Sequence, residues 1–196
     1  MVRTIDQDAR RREIVDAVWR LLERSGFQGA SVRGVAAETG LSAGSIRHFF
    51  RTQAELHEFA LTSLSERVAA RVRQAAEEPD VRRRVSAMLA EFLPLRDDTA
   101  RELGIWLEFV HHAKFDPALA AVLRKQNAEM QQFFRRVVAD LRELGSLGQA
   151  GDLDEVAAGL AAYVNGLTLN LLTSPELITR EQAARLLEAY LFGAGT

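Results

Sequence analysis

The sequence predicts an all-α fold in two parts, a small N-terminal three-helix domain over residues 1–55 and a larger helical domain over residues 56–196. Three observations carry this. Apolar residues recur at helical spacing through most of the chain, no alternating run or hairpin turn competes, and the breaks fall at matched start and stop signals. Only four prolines interrupt the 196 residues, and a 47 % hydrophobic content is enough for a sizeable core.

The first helix begins among the acids at Asp6 or Asp8 and runs to Ser25, since Ile14, Val18, Leu21 and Leu22 share a face and Gly26 is placed to end it. Ser31 is an N-cap for a short helix over Val32 to Thr39, with Val35 and Ala36 on its core side. Gly40 and Leu41 make a turn, and Ser42 caps a third helix reaching about Phe49. Thr52, with Glu55 three residues on, is a capping box that opens a fourth helix running to Glu78 before Pro79. Longer helices are expected at about 80–93, 98–113, 116–144, 152–172 and 179–192. Pro94, Asp116 with Pro117, the segment GSLGQAG at 145–151 and Pro175 separate them, and Thr179 with Gln182 is a second capping box.

Several chemistries are excluded. The chain has no cysteine, hence no disulfide, thiol nucleophile or cysteine metal site. His111 and His112 are adjacent, so they point about 100° apart and cannot chelate as an i, i+4 pair would. No H-E-x-x-H, phosphate loop or G-x-S-x-G elbow is present. No catalytic residue, metal or cofactor is therefore expected. Residues 1–25 are rich in Arg, Asp and Glu, unlike a signal peptide, and no long uncharged apolar run offers a span; a cytoplasmic location without a membrane partner is the expectation.

The formal net charge is −2, but residues 1–57 hold nine arginines against seven acids while the remainder is acidic. That asymmetry is a modest pointer to a polyanion at one end. A short helix, a glycine turn and another short helix is the sequence form of a helix-turn-helix. Projected from Ile46, the third helix puts Phe49 and Phe50 on its core side, and Gly44 and His48 opposite, flanked by Ser45 and Arg47. Such a face is small at its start and carries hydrogen-bonding groups further along, which suits entry into a major groove. The helix starts at Ser31, Ser42 and Thr52 add backbone donors for phosphate. The pattern alone also describes a compact corner with a solvated outer face.

Residues 12–61, REIVDAVWRLLERSGFQGASVRGVAAETGLSAGSIRHFFRTQAELHEFAL, resemble the N-terminal signature of the tetracycline-repressor (TetR) family of bacterial transcriptional regulators. The segments LGIWLEFVHHAKFDPALAAVLRKQNAEM and AAYVNGLTLNLLTSPELITREQAARLLEAYL are similar to the C-terminal domain of its BetI-like branch. The resemblance implies that Ser31 and Arg33 hold phosphates, that Ser42, Ser45, Arg47 and His48 sit at the groove, and that Arg51 and Thr52 meet the flanking backbone. With Ala43, Gly44 and Phe49 these form the candidate DNA-binding set. Ala43, Phe49 and Gln53 depart from the common pattern, each losing a possible phosphate contact; the arm arginines Arg3, Arg10, Arg11 and Arg12 either compensate or form a solvated face.

One short recognition helix reads few base pairs, so a two-fold dimer is expected. Helix 152–172 is apolar nearly all round, with Ala157, Ala158, Gly159, Ala161, Ala162 and Gly166 allowing close approach, and one of its faces is expected against a partner subunit. Leu186, Leu187, Tyr190 and Leu191 supply a matching stripe, and the resemblance implies a homodimer through the last two helices. Any effector pocket belongs to the middle helices, with Phe92, Trp106, Phe109, Asn127, Met130 and Phe134 as candidate contacts, joined by Asn165 and Asn170, which serve equally as interface hydrogen-bonders. The combined expectation is a ligand-responsive regulator, of the repressor kind most common in that family, in which residues 1–55 bind a palindromic DNA operator and residues 56–196 bind a small-molecule effector and dimerise. The alternative is a small-molecule sensor or carrier whose DNA-binding half is vestigial.

Overall fold

A computed structural model describes residues 7–147 and 151–193. Among the described residues there are nine helices and no strand: α1 (Gln7–Gly29), α2 (Val32–Thr39), α3 (Ala43–Phe49), α4 (Gln53–Ala75), α5 (Val81–Ala90), α6 (Asp97–His112), α7 (Pro117–Glu143), α8 (Leu153–Thr173) and α9 (Arg180–Phe192). The expected starts are borne out by real caps. Ser31, Ser42, Asp80, Asp152 and Thr179 each accept a hydrogen bond from a backbone N–H in the first turn of the helix they precede. Asp116 does the same for Ala118 and Leu119 at the start of α7.

The ends differ in places. Gly26 breaks α1 as expected, at φ 62° and ψ −167°, a backbone region open essentially to glycine alone; helical geometry then resumes for one turn at Phe27–Gly29. Helix α4 stops at Ala75 and α5 at Ala90, each about one turn early. Helix α5 ends where Pro94, four residues past Ala90, has no N–H to offer the Ala90 carbonyl, while Glu91 just beyond the end keeps helical φ and ψ.

The chain forms two compact units. The first comprises residues up to Ser65 together with Gly104–Arg124, and the second comprises Glu66–Leu103 together with residues from Lys125 on. In the first, Ile14 and Val18 of α1, Val35 of α2, Ile46 of α3 and Leu56, Ala60 and Leu61 of α4 are fully buried, together with Phe109 and Leu119. Each such aliphatic side chain contributes about 1.5–3 kcal/mol by leaving water. The Trp19 indole N–H, which burial would otherwise strand, donates to the Ala60 carbonyl at 3.2 Å.

The second unit packs Val85 and Leu89 of α5, Phe134, Val138 and Leu141 of α7, Leu160 and Val164 of α8, and Leu187 and Leu191 of α9. An ion network lies on it. Arg71 of α4 bonds Glu91 at 2.7 Å and Glu102 at 2.5 Å, Arg67 adds to Glu102 at 3.3 Å, and Arg96 adds to Glu91 at 2.9 Å. Burial raises the Glu91 pKa, but hydrogen bonds from Arg96 and Arg71 prevail and hold it below the usual carboxylate range. Helix α8 alone among the described residues has the length and apolarity of a membrane span, yet only 33 % of that window is buried within the chain. It is anchored to the turn after α5 by Thr168, whose hydroxyl donates to the Phe92 carbonyl at 2.6 Å.

Candidate nucleic-acid interface

Three helix starts and one exposed helix face converge in the first unit. Ser31 Oγ accepts from the Gly34 N–H at 3.1 Å, fixing the first turn of α2. Ser42 Oγ accepts from the Ser45 N–H at 3.0 Å and lies 2.9 Å from Ser45 Oγ, so both hydroxyls are tied to the start of α3. Thr52 Oγ1 accepts from the Glu55 N–H at 3.1 Å, but the expected reciprocal bond goes one residue earlier: Glu55 Oε2 accepts from the Arg51 N–H at 2.8 Å. Arg51 therefore has its backbone pinned at the mouth of α4 while its side chain stays exposed.

Helix α3 is set by its buried side. Ile46 is fully buried and Phe50 is 1 % exposed, so 3.6-residue geometry turns Gly44, Arg47 and His48 outward, and all three are exposed. Phe49 is half-buried against the core, with the His48 ring edge-on to it at 5.3 Å. Ala43 is also half-buried against that core.

Beside this face lies a shallow groove of about 400 Å³ lined by Ser31, Val32, Arg33, Arg47, Arg51, Thr52 and Gln53. Residues from α2, α3 and the start of α4 meet in it. None of Arg33, Arg47 and Arg51 is paired with a carboxylate among the described residues, so the groove carries uncompensated positive charge. Val32 and Gln53 were not among the expected contacts.

A second arginine pair braces the angle between α1 and α2. Arg20 and Arg24 bond the two oxygens of Glu38 at 2.9 and 2.8 Å, and these hydrogen bonds, first from Arg24 and then from Arg20, hold the carboxyl below its ordinary pKa. Sequence reasoning missed Glu38, because its partners lie 14 and 18 positions away. Of the arm arginines, Arg10 pairs with Glu13, Arg12 donates to the Asp8 carbonyl at 3.2 Å, and Arg11 stands over the Phe50 and Phe59 rings at 5.6 Å from each. Arg3 lies outside the described residues.

The candidate effector contacts do not form one cluster. Phe92 meets Phe133 and Phe134 in the second unit with centroids 5.3 and 6.1 Å apart, and Met130 packs on the same core. Trp106 and Phe109 belong to the core of the first unit. Asn127 is exposed on α7, and Asn165 and Asn170 are exposed on α8.

Comparison with known proteins gives these features a family. Residues 14–58 match the profile of bacterial regulatory proteins of the tetR family, and residues 79–194 match that of the C-terminal part of BetI-type transcriptional repressors. The HTH-type transcriptional regulator PksA of Bacillus subtilis is 32 % identical over 95 % of this chain and 90 % of its own. A transcriptional regulator from a Rhodococcus species superposes with a TM-score of 0.79 at 29 % identity, over 92 % of each chain. A regulator from Saccharomonospora viridis, crystallised in complex with choline, shares the fold with a TM-score of 0.81 at 21 % identity, over 93 % of this chain and 95 % of its own. These relatives are transcriptional regulators, not enzymes. The chain belongs to the TetR family of bacterial transcriptional regulators, with a C-terminal part of the BetI type.

Proposed function

We propose that the protein binds a palindromic DNA operator as a homodimer and is released by a small-molecule effector, acting as a repressor in the cytoplasm. Regulators of this family are typically ligand-responsive and usually dimeric. The observation that carries the reading is the meeting of Arg33, Arg47 and Arg51 with the caps Ser31 and Thr52 around one groove, beside the outward Gly44 and His48 of α3. In this reading Gly44 lets the start of α3 approach base edges, Arg47 and His48 read them with Ser42 and Ser45, and Arg33 and Arg51 hold phosphates. Residues 1–55 do the reading, and residues 56–196 sense and dimerise.

The dimer is assigned to α8 and α9. The outward residues of α8, including Ala158, Gly159, Ala162, Asn165, Gly166, Leu169 and Asn170, are exposed along its length, and the alanines and glycines among them are small enough for two helices to approach closely. The effector is assigned first to the neighbourhood of Phe92, Met130 and Phe134, with Trp106, Phe109, Asn127, Asn165 and Asn170 as the remaining candidates. Its action requires only that it bind one spacing of the recognition helices better than the other, since a ligand shifts an equilibrium by its differential affinity alone.

The test is selection of bound fragments from a genomic library by the purified protein at moderate salt, followed by a screen for compounds that release them. Enrichment of one palindrome, and its release by a compound that is not turned over, is the expected result. A bound compound without any preferred duplex would instead favour a sensor or carrier.

A further inference from the structure

The buried stripe of α1 ends in a cation. Ile14, Val15, Val18, Leu21 and Leu22 are buried on one side of α1, and Arg11 continues that side one turn earlier, where the helical repeat calls for another apolar residue. Its guanidinium carbon stands 5.6 Å from the ring centroid of Phe50 and 5.6 Å from that of Phe59. The two rings are themselves 5.3 Å apart, with 53° between their planes. In this nearly equilateral triangle Phe50 is 1 % exposed, while Phe59 and Arg11 are half-buried.

Arg11 differs from its neighbours in what it touches. Arg10 is paired with Glu13 and Arg12 donates to the Asp8 carbonyl, whereas Arg11 meets no carboxylate or carbonyl among the described residues. Attraction to a ring face acts on the cation as a whole and leaves its five N–H donors to other acceptors. Packing alone would be served as well by leucine or methionine, which carry no charge to desolvate. The rings also place this cation. Phe50 caps α3, its N–H donating to the Ile46 carbonyl at 2.9 Å, and the next residues, Arg51, Thr52 and Gln53, line the groove. The ring that seats Arg11 therefore belongs to the residue that joins α3 to Arg51.

We propose that Arg11 is a further contact for a DNA phosphate, held ready by Phe50 and Phe59 at the end of α3 that Arg51 also serves. The proposal rests on the DNA-binding reading above and adds to it a contact outside the groove. It brings a second cation to the α3–α4 turn, where Gln53 brings none.

The experiment compares wild type, Arg11→Met and Arg51→Ala in binding the fragment enriched in the selection above and a random duplex, each at several salt concentrations, with stability read by urea unfolding. Methionine keeps apolar contact with both rings and removes the charge and the donors. The expected result is that Arg11→Met unfolds near the wild-type midpoint and lowers the slope of log affinity against log salt by about 1 per contact, as Arg51→Ala does. Fragment and random duplex weaken by the same factor, because a phosphate contact carries no sequence. An unchanged slope in Arg11→Met overturns the proposal, and a slope lowered in Arg51→Ala at the same time leaves the DNA-binding reading standing. Should Arg11→Met not fold, the Arg11 Nε–H resonance of the wild type is followed by NMR as random duplex is added. A shift with slowed exchange supports the contact; an unmoved resonance overturns it. A slope lowered by Arg11→Met in a protein that prefers no fragment over random duplex supports the contact and sinks the operator reading alone, and a wild type that binds no duplex overturns both.

Discussion

Arg47 and Arg51 line the same groove but stand on different ground. Arg47 projects from the exposed face of α3, whereas Arg51 sits at the mouth of α4 with its N–H held by Glu55. A base-reading arginine contributes discrimination, and a phosphate-holding one contributes counterion release. Arg47→Ala is therefore expected to cost about 1–3 kcal/mol and to relax the preferred sequence at one position of each half-site. Arg51→Ala weakens all duplexes alike and lowers the slope of log affinity against log salt by about 1 per contact. Competition binding at several salt concentrations separates the two, and an identical signature from both variants would remove the division of roles. Glu91 supplies a pH prediction in the other unit. Its carboxyl is held below its ordinary pKa, so the unfolded state binds the proton more readily. The stabilisation is present above the unfolded value of about 4.3 and is lost as pH falls through the lower folded value. Glu91→Gln is expected to lower stability at neutral pH and to flatten its fall below about pH 4.3, read by urea unfolding at successive pH values.

At the level of elements, the caps made the fold legible, and helix faces made the exposed side of α3 legible but not the partners that meet across the fold. Ser31, Ser42, Asp116 and Thr179 announce helix starts because a capping bond is local, spanning two or three residues. The outward face of α3 follows from Ile46 by rotation alone. Nothing local, however, pairs Glu38 with Arg20, Arg71 with Glu102, or His57 with Ala30, whose separations run from 18 to 31 residues. The same limit separates Trp106 and Phe109 from Phe92 and Phe134: periodicity marks all four as apolar without saying which core each enters. Gly34 is another feature that the pattern hides. A Cβ there would fall 2.1 Å from the Gly29 carbonyl oxygen, so α2 lies against the preceding turn with room for hydrogen alone. Helix propensity predicts that Gly34→Ala stabilises α2 by up to about 1 kcal/mol. The backbone clash predicts the reverse, a loss of about 1–3 kcal/mol as the turn is forced away. A lowered denaturant midpoint with an unchanged slope is the expected result; a raised midpoint would show that the contact yields freely.

At the scale of the whole molecule, α8 poses the central question. Its inner side is closed by Leu160, Val164, Leu167 and Leu171, but Leu169 remains 49 % exposed and Leu186 of α9 45 % exposed. The two helices are already locked to each other, with the Tyr163 and Tyr190 rings stacked 4.1 Å apart and the Tyr163 hydroxyl donating to the Leu186 carbonyl. An apolar helix with this much surface left bare has room for a further cover, and in the proposed homodimer a second copy of the same two helices would supply one of matching character. In a two-fold dimer every substitution on that face occurs twice, so Leu169→Glu would set two uncompensated charges in an apolar contact. Breaking a buried arrangement in this way costs about 3–5 kcal/mol. Because Leu169 is half exposed within one chain, the fold itself is expected to survive. Light scattering should then report a monomer with unchanged helicity by circular dichroism. Operator affinity should fall by about 10²–10⁴, the gain that linking two half-site contacts provides. A Leu169→Glu protein that remains dimeric would move the partner contact elsewhere; one that becomes monomeric yet keeps full operator affinity would show that a single recognition helix suffices.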